Sequence, residues 1–226
     1  MPKKFDAELA QLKERVISMG DTAQSMFQTA MRALVNRDES LVAKVQQMEE
    51  QLDRDQVEID EAAIRLMAVY GPVAVDLRFV LMVARINTEL ERIGDQAVNM
   101  CENIQLLLTE PELKKLVDLP RMADVAGWMV RESVQSFKEG TTQKAREVIK
   151  ADGEVDALND QIFRELLTYM LGDPRTITRS LALILTARAL ERIADHATNI
   201  AEEVIFMVKG EDVRHPEAMH ADEGSS

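Results

Sequence analysis

Four acidic pairs in this chain repeat one spacing. Glu49 and Asp53, Glu91 and Asp95, Asp152 and Asp156, and Glu191 and Asp195 each lie four residues apart. On a helix that step advances about 40° around the axis, so both carboxylates of a pair point the same way. Measured from Glu91, Asp95 falls at about 40°, Asn99 at about 80° and Glu102 at about 20°, whereas Ile93, Ala97, Met100 and Ile104 fall at about 180° to 240°. The acidic stripe is opposite the apolar one. For any single pair the bland reading is a solvated helix face. Like charges at this spacing destabilise a helix by roughly 0.2–0.5 kcal/mol per pair, yet the pattern occurs four times. Clustered carboxylates are tolerable where a multivalent cation neutralises them, and oxygen-only ligation suits Mg, Mn, Ca or Fe.

The pairs belong to an internal repeat. Residues 90–99 match residues 190–199 at seven of ten positions, with an offset of 100. Glu102 matches Glu202 and Leu81 matches Leu181 in the flanks. Upstream, Glu49-Glu50-Gln51-Leu52-Asp53 matches Asp152-Gly153-Glu154-Val155-Asp156, and the Gly71-Pro72 break matches Asp173-Pro174. An ordered series of matches at nearly constant offset is a duplication.

The elements that must carry these residues are helices. Leu9, Leu12, Val16, Met19 and Ala23 follow the rhythm of one buried helical face. Breaks are expected at Asn36-Arg37-Asp38, Gly71-Pro72, Thr109-Glu110-Pro111, Gly140-Thr141-Thr142 and Gly172-Asp173-Pro174, with Leu119-Pro120 opening the fourth helix. The result is an all-α chain of six long helices, a tandem duplication of an antiparallel three-helix bundle. The expected units are residues 1–110, residues 111–209, and a disordered polar tail at 210–226.

Composition narrows the function. A net charge of −13 and 4% aromatic residues argue against nucleic acid and anionic lipid as partners. The lone Cys101 excludes an intrachain disulfide and fits a reducing compartment. The N-terminus lacks the apolar core of a signal peptide, and the apolar runs at 79–84 and 181–185 are far short of a membrane span. The expected location is cytoplasmic, with membrane contact only through partners. The thirteen methionines read as adaptable core filling.

Catalytic motifs are lacking. There is no Gly-rich phosphate loop, no Cys/His metal spacing and no Gly-x-Ser-x-Gly. A ferritin-like di-iron oxidase would need Glu-x-x-His on two helices. The one instance here, Glu217 to His220, sits in the tail. His196 stands where the first repeat has Gln96 and reads as a surface histidine that could add a ligand. Arg78 and Arg92 read as ion-pairing partners of neighbouring acids.

These features together resemble the PhoU family, over roughly residues 5–209. The resemblance rests on the doubled three-helix layout, on Val73-Ala74-Val75-Asp76-Leu77-Arg78 after Gly71-Pro72, and on the Glu-Arg-Ile-x-Asp motifs at Glu91 to Asp95 and Glu191 to Asp195. It implies two multinuclear metal sites of iron or zinc (Mg or Mn being the alternatives). Glu49, Asp53, Glu91 and Asp95 would hold one, and Asp152, Asp156, Glu191 and Asp195 the other. It also implies a homodimeric negative regulator of phosphate uptake and of the phosphate-starvation response, contacting the phosphate transporter ATPase and a sensor histidine kinase. Two departures bear on the second site. Gly153 lies within its helix-five motif, and Ile177-Thr178-Arg179 replaces Asp-Leu-Arg. The competing readings are a carboxylate-metal enzyme and a plain helical scaffold with solvated acids.

Overall fold

The computed structural model describes residues 2–214. Six helices run in chain order: α1 (Pro2–Asn36), α2 (Ser40–Tyr70), α3 (Ala74–Leu108), α4 (Asp118–Glu139), α5 (Gln143–Gly172) and α6 (Ile177–Lys209), with a 3-10 turn at Pro174–Thr176 before α6. Among the described residues there is no strand.

The stops have local causes. Gly140 follows α4 with φ 65°, a left-handed conformation that costs glycine nothing, and its N–H donates to the Ser136 carbonyl at 2.9 Å. Gly71 ends α2 in the same way, at φ 55°, donating to the Met67 carbonyl. After α1 the left-handed residue is Arg37, at φ 53°. Its side chain is engaged: the guanidinium donates to the carbonyls of Leu107, Leu108 and Glu110 at 3.3, 3.0 and 2.6 Å, satisfying the C-terminal end of α3. Pro120 sits in the first turn of α4, where its missing N–H has no helical partner to lose. The α3–α4 connection, residues 109–117, is longer than the others. It is fastened by Leu113 and Leu116 packing on the core and by Arg179 donating to the Pro111 carbonyl at 3.0 Å.

Packing puts α2, α3, α6 and α5 side by side in that order, with α3 against α6 the most extensive pairing. α1 lies over α2 and α3, α4 lies over α5 and α6, and α1 touches α4. Each repeat is a three-helix bundle, but the two bundles share one continuous hydrophobic core. Met19, Met26, Met82, Met100, Met122 and Met129 are at most 2% exposed in it, as core filling requires. Burying a side chain of this size fully stabilises by about 1.5–3 kcal/mol.

The chain beyond α6 differs from the tail expected from Gly210 onward. Residues 211–214 are described and anchored. Arg214 donates to Glu203 at 3.2 Å and chelates Asp212, while Val213 packs on the core. A buried acid supplied the anchor: Glu203 is 7% exposed and is also held by Arg85 of α3 at 3.2 Å. Residues 215–226, including Glu217 and His220, lie outside the described residues.

Candidate functional site

The eight acids stand at mid-length on the four side-by-side helices, two on each. Their placement follows from the helical repeat. Leu52, Ile93 and Ala97 turn into the core, as do Val155, Ile193 and Ala197 in the second repeat. The acids between them are turned outward. Asp53, Asp95, Asp156 and Asp195 are exposed, while Glu49, Glu91, Asp152 and Glu191 are half-buried.

The acids of neighbouring helices feel one another. The Glu49 carboxyl is raised by burial and then by the charges of Asp53 and, across the α2–α3 seam, Asp95. Glu91 is raised by burial, then by Asp95 and by Asp53 of α2. Asp95 is raised by burial and by Asp53, against the opposing pull of His196 and Arg92. This is one quartet. In the second repeat burial, then Asp152, Glu191 and Asp156, push Asp195 up to about 6. Asp152 is raised by burial and by Asp156, moderated by the Thr198 hydroxyl donating to it at 3.2 Å. In each repeat, then, acids of two adjacent helices act on one another.

None of the eight carboxylates is ion-paired among the described residues, although acids nearby are: Glu89 with Arg92 and Glu154 with Arg121. Charges close enough to raise one another's pKa, and opposed only by the more distant pull of Arg92 and His196, suit an external cation. Cys101 adds no thiolate, because burial pushes it up to about 12. The donor set is thus carboxylate oxygen from two helices in each repeat. As the side chains stand, no three His, Cys, Asp or Glu among the described residues are grouped so as to hold a metal ion. Nor do the carboxylates line the grooves of about 380 Å³ between α1 and α4 or about 470 Å³ between α1 and α2. The quartets are open seams.

A family model described as the PhoU domain matches the chain twice, over residues 16–104 and 119–204. The chain belongs to the PhoU family. Curated relatives called phosphate-specific transport system accessory protein PhoU homolog agree along nearly its whole length. That of Aquifex aeolicus is 41% identical, over 94% of this chain and 96% of the relative. That of Pseudomonas putida is 36% identical, over 94% and 84%. The crystal structure of PhoU from Pseudomonas aeruginosa superposes with a TM-score of 0.89 at 35% identity, over 92% of this chain and all of that one (100%). The phosphate transport system regulatory protein PhoU from Streptococcus pneumoniae shares the fold, at TM-score 0.84 and 24% identity over 92% and 99%.

Three residues of this PhoU-family chain stand differently from their reading in the sequence. Arg78 makes no ion pair with an acid among the described residues. It lies 5.8 Å over the Phe206 ring and against Gly210, where its cation meets an aromatic face. His196 is no free surface histidine: its side chain is 15% exposed, and Nδ1 lies 2.8 Å from Oε2 of Glu89. Glu89 itself, unmarked in the acidic pattern, proves to be a centre of contacts between the repeats. It also accepts from Asn199 at 3.0 Å and from Arg92 at 3.3 Å. Burial pushes its carboxyl up, but the hydrogen bonds from His196 and Asn199 and the charges of His196 and Arg92 outweigh that, and its pKa is lowered. A signal was present in the repeat. Where the halves exchange Gln96 for His196, they also exchange Glu89 for Ala189.

Proposed function

We propose that this chain is a negative regulator of phosphate uptake and of the phosphate-starvation response. It acts without catalysis, as a metal-binding adaptor between the phosphate transporter ATPase and a sensor histidine kinase on the cytoplasmic side. The observation that carries the reading is the agreement, over more than nine-tenths of the chain, with relatives named as accessory proteins of phosphate-specific transport. No helix among the described residues is long and apolar enough to cross a membrane, so membrane attachment is assigned to the partners.

In this reading Glu49, Asp53, Glu91 and Asp95 hold one metal group, iron or zinc, and Asp152, Asp156, Glu191 and Asp195 hold the other. The raised carboxyl pKa values, and the absence of an ion pair to any of the eight among the described residues, support it. The bound group would supply positive charge that ties α2 to α3 and α5 to α6. It would thereby fix the surface offered to partners, including a second copy of the chain.

The test is elemental analysis of protein purified without chelator, together with capture of partners from phosphate-rich cells. Bound transition metal, with the transporter ATPase among the captured proteins, supports the reading. Absence of any metal, even on titration, removes the metal half. Phosphate-dependent repression unchanged in cells lacking the protein removes the regulatory half.

A further inference from the structure

The open side of the α5–α6 hairpin changes character along its length. At mid-length it carries Asp156 and Asp195, one acting on the other across the seam. Toward the end where the two helices join, the same stripes turn apolar. On α5, Phe163 and Leu167 fall within about 20° of Asp156, and on α6, Ile177 and Leu181 fall within about 40° of Asp195. Leu171 and Leu185 flank them. All six side chains belong to residues 40–78% exposed. Together they leave on the order of 500 Å² of apolar surface to water, near the top of what a monomer ordinarily shows in one patch. The first repeat does not reproduce this face. It keeps Ile64, Leu77 and Leu81, but Asp60, Ala68 and Arg85 stand where the second repeat has Phe163, Leu171 and Leu185. Asp60 and Arg85 are also engaged within the chain, by Asn87 at 2.9 Å and by Glu203 at 3.2 Å.

We propose that this face is where two copies of the chain associate, hairpin on hairpin about a two-fold axis, with Leu167 and Leu181 of each copy at its centre. The proposal deepens the reading above, in which a second copy is one of the partners, by assigning the surface. Charge selects the occupant. A chain of net charge −13 repels its own copy unless the faces that meet are locally compensated. The acids flanking this face, Asp160 and Asp173, are each held by an arginine, Arg164 at 3.5 Å and Arg175 at 2.9 Å. With that polar rim, the apolar face approaches the roughly 800 Å² that each partner buries in a stable interface. The mid-length acids fix the direction. Asp156 lies about 16 Å along the helix from Leu167. Antiparallel hairpins carry the two sets of acids to opposite ends of the interface, whereas parallel hairpins would lay one set on the other. In the antiparallel arrangement each helix packs on its own counterpart, so Leu181 meets Leu181, as a two-fold contact requires.

The test is sedimentation of the purified full chain across a micromolar concentration series. The unaltered chain is expected to be a dimer. Leu167→Asp with Leu181→Asp should weaken association about a hundred-fold or more and leave a monomer, because unpaired charges would be buried at the centre of the interface. Ile64→Asp with Leu81→Asp, the matching positions of the first repeat, should leave the dimer intact. Leu181→Cys should give a disulfide-linked dimer on mild oxidation and Leu81→Cys should not, Cys101 being buried and out of reach. Circular dichroism checks the fold of each variant. Where the double variant does not fold, Leu171→Ser, at the most exposed of the six positions, replaces it, with a weakening of about ten-fold expected. An unaltered chain that stays monomeric overturns the proposal and the dimer with it, and leaves the regulation of phosphate uptake standing. A dimer that persists in the second-repeat variants, or that the first-repeat pair breaks, overturns this surface alone.

Discussion

Leu52 fills the space that a side chain on Gly94 would need. A Cβ built on Gly94 would lie 2.1 Å from Leu52 Cδ2, and Leu52 is 1% exposed, with little room to swing away. The second repeat solves the same α2–α3 contact differently, with Val155 and Ala194 at the equivalent places. One partner loses a carbon and the other gains one, which is the volume exchange that close packing demands.

Gly94→Ala is therefore expected to lower stability by about 1–2 kcal/mol, despite alanine's better helix propensity. Adding Leu52→Val, to give the pair found in the second repeat, should recover most of that loss. Denaturant unfolding of the two variants checks this. A single Gly94→Ala variant as stable as the parent would show that Leu52 moves freely.

Removing the second quartet's charge should stabilise the metal-free protein. Asp195 has a folded pKa of about 6 against an ordinary 3.8. Between these values the folded state binds more proton than the unfolded one, so stability rises as pH falls through this window. Above pH 6 the ionised group opposes folding. Discounted for its exposure to solvent, the effect is about 1 kcal/mol. Asp195→Asn should melt higher than the parent at pH 7–8, and the gap should close by about pH 4. Thermal melts across that range in the presence of chelator decide it.

Cation binding should reverse the sense of that experiment. An ion that binds only the folded state at one hundred times its Kd adds about 2.7 kcal/mol for each site. Mn²⁺ or Zn²⁺ is expected to raise Tm of the parent and to leave Tm of a variant with Asp53, Asp95, Asp156 and Asp195 all changed to Asn unmoved. A rise of equal size in both would place the ion elsewhere.

Arg214→Ala tests the anchoring of the chain beyond α6. It removes one of two cations from Glu203, a carboxylate 7% exposed, and leaves Arg85 as its partner. The expected loss is about 1–2 kcal/mol, below the cost of stripping a buried carboxylate of its pairing altogether. Chemical denaturation reads it. Limited proteolysis should also cut near residues 211–214 sooner in the variant.

Much was legible in the sequence because it is written in short-range terms. Helix periodicity involves residues three or four apart, and the turns at Gly71, Gly140 and Asp173 break it through local conformational preference. The duplication was visible in Glu91 to Asp95 recurring at Glu191 to Asp195. That like acids share a helix face also follows from spacing alone.

The remainder depended on which faces meet. That α3 packs on α6, merging two bundles into one core, is a matter of surfaces a hundred residues apart in the chain, and no local pattern specifies it. So Glu89, an unremarkable acid by its neighbours, becomes the partner of His196 only when that packing is made. Arg78 turns to Phe206 and away from acids, and Glu203 collects two arginines, for the same reason. Helix type, number and acidic spacing were settled by interactions within one or two turns. The partnerships of individual charges were settled by tertiary burial, because the cost of leaving water selects which groups pair.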